Sequence, residues 1–163
     1  MLERAVVALR EVCDEVVVVL PPEGGPRLPA GIRVARDAAP GEGPLAGLHA
    51  GLAVATRELA VVAGGDMPDM RTAVLDVMLR ELRDAGSDAV ALLDGGRVRP
   101  LPCAVRVGAA SDAAGALLGA GRRRLRELLD ALTVRAIDEA TWRVLDPAGT
   151  TLLDVDVQAD LAP

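Results

Sequence analysis

The residues in this chain best placed to do chemistry sit at the end of one apolar stretch, LAVVAGGDMP, from Leu59 to Pro68. The run Leu59 to Ala63 has no polar alternation, which suits a strand covered on both faces, as in the parallel sheets of α/β proteins. Asp66 then falls just past the strand's carboxyl end, where open α/β sheets bind ligands and where a carboxylate can hold magnesium against phosphates. Gly64, Gly65 and Asp66 are also ordinary turn residues, and the same letters read as a turn into a helix beginning near Pro68. Other reactive groups are sparse. Cys13, Cys103 and the lone His49 cannot make a four-ligand zinc site. His49 reads as a helix-packing or surface residue, and Asp69 as an acid favoured by a helix's first turn. Every basic residue is Arg, so phosphate contacts must come from guanidinium groups, backbone amides or a metal. Arg122, Arg123, Arg124 and Arg126 form the one concentrated positive cluster, readable as a phosphate receiver or as a solvated charged face.

The elements that must carry these groups alternate along the chain. Leu2, Ala5, Val6, Leu9 and Val12 recur at helical spacing over residues 2–12. VVVVL at 16–20 is a buried-strand pattern, and the Gly- and Pro-rich Pro21 to Pro29 is a loop. GIRVAR at 31–36 is a short strand closing at Asp37. Pro40, Gly41, Gly43 and Pro44 make a turn into a helix from about Leu45 to Thr56, whose small residues permit close approach to a sheet or ligand. A helix is expected over 71–85 and a strand over 88–94, turned by Gly95 and Gly96. The strand 101–107, with Pro100 and Pro102 at its start, reads as an edge or irregular strand. Ser111 is a candidate N-cap for a helix to Leu118, GRRRLRELLDAL at 121–132 is expected to open a second helix that carries the arginine cluster, and a late strand is expected over 133–137. Trp142 falls in an irregular segment, and a short helix is expected near the end. The alternation predicts an α/β sandwich in three layers, α/β/α, with helices on both faces of one sheet.

With 163 residues the chain is expected to form a single domain with a substantial core. Its 51% hydrophobic content comes from Ala, Val and Leu, with one Trp and no Phe or Tyr, so base stacking has almost no material. A net charge of −6 argues against general nucleic-acid binding. No stretch approaches the length of a membrane span and no secretory leader opens the chain. Two cysteines in apolar surroundings read as buried free thiols of a reducing compartment, which points to the cytoplasm.

Four segments in order, Asp37 with PGEGPLAGLHAGL, then VVAGGDMPDM, RVRPLPCAV and LLDVDVQADL, resemble the nucleotidyltransferase-like α/β family, most closely the molybdenum cofactor guanylyltransferases. The resemblance covers essentially the whole chain. It implies a Rossmann-like, mostly parallel sheet of the nucleotide-diphospho-sugar transferase type. The implied reaction transfers GMP from GTP to the phosphate of molybdopterin, releasing pyrophosphate with Mg2+. Substrates are then GTP and the molybdopterin cofactor, with molybdoenzyme-maturation proteins as further partners. By position, Asp66 matches the metal-binding catalytic aspartate and Asp37 an aspartate contacting the nucleotide. Gly43, Pro44, Leu45 and Gly47 match the turn beside it. Asp156 matches a C-terminal position holding a second metal contact in cytidylyl and sugar-nucleotide relatives, and Arg99 and Pro100 lie in a segment lining the acceptor side. Guanylyl relatives often carry Asn where Asp156 stands, and their usual Thr-Pro after it is Val157-Gln158 here.

The same resemblance implies a strand and a glycine-rich loop ending in Arg and Lys ahead of Met1, in a chain about 20 to 30 residues longer, and here there is no Lys at all. The strand would be the central one. Its absence is expected to leave neighbouring strands unpaired, at a cost on the order of several kcal/mol, and the chain as given inactive. Other readings are a cytidylyltransferase for the same pterin, a sugar-nucleotide transferase, or a non-catalytic remnant that binds a pterin or a protein.

Overall fold

A computed structural model describes residues 1–37, 41 and 43–154. Helix α1 spans Leu2–Val12, the predicted bounds. It is followed by β1 (Val17–Leu20), β2 (Arg33–Arg36), α2 (Pro44–Val54), β3 (Leu59–Val62) and α3 (Thr72–Asp84). Then come β4 (Ala89–Asp94), β5 (Arg97–Arg106), α4 (Val107–Gly119), α5 (Leu125–Ala131), β6 (Val134–Ile137) and α6 (Glu139–Trp142), with a 3-10 turn at Thr150–Leu152.

The strands form two sheets. β1 and β2 pair in parallel, and a four-stranded sheet has the order β3-β5-β4-β6. β5 runs against both β3 and β4, and β6 runs with β4, so β5 alone opposes the other three. Strand periodicity puts successive side chains on opposite faces. Val90, Leu92 and Ala104 accordingly join α3 and α1 in one core cluster. Ala89, Ala91, Cys103 and Val105 join residues of α2, α4 and α5 in another. Both faces of the larger sheet are thus covered by helices. Arg106 stops α3 by donating from its guanidinium to the carbonyls of Leu82, Ala85 and Ser87 at 2.8, 3.1 and 2.9 Å, satisfying acceptors that a helix end leaves open.

The expected gap in the sheet is present. β1 and β3 belong to different sheets, and between them runs a cleft of about 990 Å³. Its walls are Val17 to Leu20 on one side and Leu59 to Ala63 on the other, flanked by Leu2, Val6 and Leu9 of α1 and by Leu48 and Leu52 of α2. Alternation fixes which backbone groups face it. The carbonyls of Val16 and Leu20 accept from β2, and that of Glu58 accepts from Val107 beyond β5. The amides and carbonyls of Val17 and Val19, and of Leu59 and Val61, therefore point into the cleft.

Four expectations are corrected. β5 lies inside the sheet, so of the two expectations for it the edge position is corrected and the irregularity is present. Its prolines are tolerated because pairing with β3 ends at Cys103 and pairing with β4 shifts register between Ala91 and Leu93. Ser111 lies inside α4, which begins at Val107. Arg122, Arg123 and Arg124 precede α5 instead of lying on it. Trp142 is not in an irregular segment: it ends α6, fully buried, and donates its indole N–H to the Leu93 carbonyl at 2.8 Å.

Candidate active site

The mouth of the cleft gathers residues from two loops. Asp37 follows β2, and its amide donates to the Leu20 carbonyl at 2.9 Å, fixing its backbone to the end of β1. Its carboxylate lies over the first turn of α2: a β-carbon on Gly47 would be 3.9 Å from Oδ2 and 3.7 Å from Val19. Gly43 begins α2 with φ +85, and a β-carbon there would lie 3.0 Å from the Arg123 carbonyl, so backbone conformation and crowding both require glycine. Pro44 follows at the first helical position, where a missing N–H costs nothing. With no acid of its own in the first turn, α2 presents its positive end beside the Asp37 carboxylate and the cleft. Leu45 is different. Its side chain is fully buried with Ala114 and Leu128, which leaves only its backbone for a ligand.

On the opposite rim the chain leaves β3 through Gly64 and Gly65, which line the same cleft. Asp66 folds back over Gly64, so that a β-carbon on that glycine would lie 2.2 Å from Asp66 Oδ1. The loop is anchored from below by Met67 and Met70, both buried, with the Gly64 amide 3.4 Å from the Met67 sulfur. No cation or donor among the described residues pairs with the half-buried Asp66 carboxylate. Asp69 and Asp94, by contrast, are engaged. Asp69 is ion-paired with Arg4, so it is not the helix first-turn acid expected, since α3 starts at Thr72. Asp94 takes Arg143 at 3.0 Å and Arg99 at 3.8 Å. The Asp66 carboxylate has no partner among the described residues, and such an oxygen donor suits a hard divalent cation, whereas the Gly64 carbonyl is taken by the Met67 amide at 3.3 Å.

Arg99 and Pro100 are half-buried near the start of β5. Because β5 is antiparallel to β3, its start lies at the same end of the sheet as the loop after β3. Asp156, the second expected metal contact, lies outside the described residues. Among those described, no three His, Cys, Asp or Glu gather as a metal cage. The arginine cluster is largely committed: Arg122 bonds Glu127 at 2.7 Å, and Arg123 donates to the Leu118 carbonyl at 2.9 Å. His49 packs on α4, its Nε2 3.4 Å from where a β-carbon of Gly115 would stand. Both cysteines are free, and burial pushes the Cys103 thiol up to about 12.

A family model described as the MobA-like NTP transferase domain matches residues 1–137. The chain belongs to that family. Its members are nucleotidyltransferases, and the fold follows theirs. A protein of Chloroflexus aggregans named as a probable molybdenum cofactor guanylyltransferase is 32% identical over 99% of this chain and 77% of its own length. A crystal structure of molybdopterin-guanine dinucleotide biosynthesis protein A from Archaeoglobus fulgidus superposes with a TM-score of 0.68 and 26% identity. That match covers 79% of this chain and 64% of the other. The 2-C-methyl-D-erythritol 4-phosphate cytidylyltransferase of Thermus thermophilus, at 19% identity and a TM-score of 0.72, covers 98% of this chain and 83% of its own and shares the fold. No helix among the described residues is long and apolar enough to cross a membrane.

Sequence reasoning missed three contributors to this region. Met67 and Met70 anchor the Asp66 loop, and Thr151 accepts the Arg71 amide at 3.0 Å. The methionines carried a readable signal, since they are the two large apolar residues in the loop that follows Asp66. Thr151 carried none.

Proposed function

We propose that this domain serves the transfer of GMP from GTP to the phosphate of molybdopterin, releasing pyrophosphate, with Asp66 as the carboxylate that holds Mg2+. The observation that carries the reading is the Asp66 carboxylate, held over Gly64 without a partner among the described residues, directly after Gly64 and Gly65 of the cleft wall, with Asp37, Gly43, Pro44 and Gly47 lining the same cleft. Bound there, the metal would neutralise charge shared by the triphosphate and an attacking phosphate. The chain's own residues supply placement. Asp37 and the Gly43–Pro44 turn border the nucleotide, with Leu45 and Gly47 contributing backbone and space, and Arg99 with Pro100 line the acceptor side. Asp156 is the second carboxylate of the pair. No side chain needs to act as a base, because a phosphate nucleophile is already ionised. The guanylyl assignment rests on the curated relatives. The two free cysteines suit a cytoplasmic setting, and molybdoenzyme-maturation proteins would receive the product.

We further propose that residues 1–163 alone turn over little or no substrate, because strand edges and apolar walls stand open in the cleft that borders the site. The test is radiolabelled GTP with Mg2+ and molybdopterin, given to residues 1–163 and to the same chain with a relative's strand and glycine-rich loop fused ahead of Leu2. Label is expected on the pterin only with the fused chain. Label with the unextended chain contradicts the inactivity, and no label with either contradicts guanylyl transfer. Preferential labelling from CTP selects the cytidylyl reading.

A further inference from the structure

Asp94 ends β4 and faces two arginines at once, and neither pairing enters the chemistry proposed above. The two are unequal. Arg143 Nη2 donates to Asp94 Oδ1 at 3.0 Å, whereas Arg99 Nη1 stands 3.8 Å from Oδ2, beyond hydrogen-bond reach. Arg143 is also fixed from other sides. Its Nε donates to Glu139 Oε1 at 2.9 Å, and Glu139 Oε2 accepts the Gly95 amide at 3.2 Å. Its guanidinium lies 4.6 Å from the centroid of the Trp142 ring, which is fully buried and bonded to the Leu93 carbonyl. Arg143 is therefore pinned to the core beside Asp94. Arg99 has no shorter partner than Asp94 among the described residues.

Arg99 stands at the end of the sheet that carries Asp66. β3 and β5 pair as far as Val62 with Cys103. Asp66 comes four residues after Val62 and Arg99 four before Cys103, so these antiparallel neighbours bring both to the same end. We infer that Arg143 is a positioning residue: by occupying Asp94 it keeps that carboxylate from closing on Arg99, and so leaves the Arg99 guanidinium available to a phosphate monoester. This rests on the acceptor-side role proposed for Arg99. A guanidinium held in a close carboxylate pair no longer presents its fork of donors, or its full charge, to a phosphate. Asp94 carries a single charge on which Arg143 and Arg99 both draw, and the arginine held by Glu139 and Trp142 takes the nearer place.

The test uses residues 1–163 and the arginine reagent phenylglyoxal, with the rate of modification at Arg99 read by peptide mass spectrometry, with and without inorganic phosphate as the probe. In the parent chain phosphate is expected to slow modification of Arg99. Arg143→Gln is expected to lower the Arg99 rate about threefold, the scale of one half-exposed ion pair, and to weaken the protection by phosphate. Adding Asp94→Asn to Arg143→Gln is expected to restore both, because the competing carboxylate has then lost its charge. An Arg99 rate unchanged by Arg143→Gln overturns the inference. So does a lowered rate that Asp94→Asn fails to restore, which marks a purely structural role. Asp94→Asn alone serves if Arg143→Gln does not fold: it should speed modification of Arg99, and an unchanged rate overturns the inference. Phosphate that protects Arg99 no better than the exposed Arg27 overturns the acceptor-side reading. The rates without phosphate then decide the competition for Asp94 by themselves.

Discussion

Asp66 Oδ1 occupies the space that a side chain on Gly64 would need, 2.2 Å from an added β-carbon. The glycine is therefore part of how the carboxylate is held. Gly64 does not adopt a left-handed conformation, so Gly64→Ala strains no backbone and acts through Asp66 and the nearby Met67 side chain. The substitution is expected to weaken metal binding about tenfold, and to cost little more when Asp66 is already Ala. Mn2+ titrations of the two single variants and the double variant check this.

Asp66→Asn keeps size and hydrogen-bonding capacity and removes the charge. In the fused, active chain it is expected to lower turnover about a hundredfold or more, the usual scale for losing one preorganised electrostatic contact. The melting temperature should hardly move, since no described residue pairs with this carboxylate. Steady-state rates across a range of Mg2+ concentrations, alongside thermal melts, separate the two effects.

Acid stability should carry the signature of Asp146. Burial raises its pKa, but the hydrogen bonds from Thr151 and Thr150 outweigh that and hold the group below the ordinary carboxylate range. A carboxyl whose folded pKa is depressed adds stability above its unfolded value, about 3.9, and loses it as pH falls through the folded value. Asp146→Asn is thus expected to be less stable than the parent at neutral pH, with the difference shrinking as the medium falls below about pH 4. Urea melts at several pH values measure it.

Trp142 fills the core beneath the larger sheet, with its indole N–H bonded to Leu93 and Arg143 stacked 4.6 Å from its ring. Trp142→Ala removes a fully buried aromatic and should cost about 3–5 kcal/mol. Denaturant unfolding followed by far-ultraviolet circular dichroism gives the value.

What could be read from the letters alone follows from how local each signal is. The bounds of α1 were legible because its apolar face repeats at helical spacing without a competing turn residue. Asp66 stood out because an aspartate after a short apolar run marks a strand end, whereas Asp37 and Gly43 entered as site residues only through the family resemblance. The direction of β5 was not legible as periodicity, which is blind to strand polarity. A signal did exist: Gly95 and Gly96 both have positive φ, and a two-residue glycine turn joins antiparallel neighbours. The start of α4 was misplaced because Ser111 resembles a cap, whereas α4 begins at Val107 directly after β5 and has no side-chain cap. The tie between Arg71 and Thr151 could not be read, since nothing local links residues 80 positions apart.

The split between the sheets has a bearing on the chemistry as well as on the fold. Asp37 and the α2 turn ride on the two-stranded ribbon, while Asp66 rides on the four-stranded sheet. A ribbon of two strands is marginal by itself and takes its bearings from α1 and α2. Whatever bridges β1 to β3 would therefore fix the spacing of Asp37 against Asp66 in the same stroke as it closes the sheet.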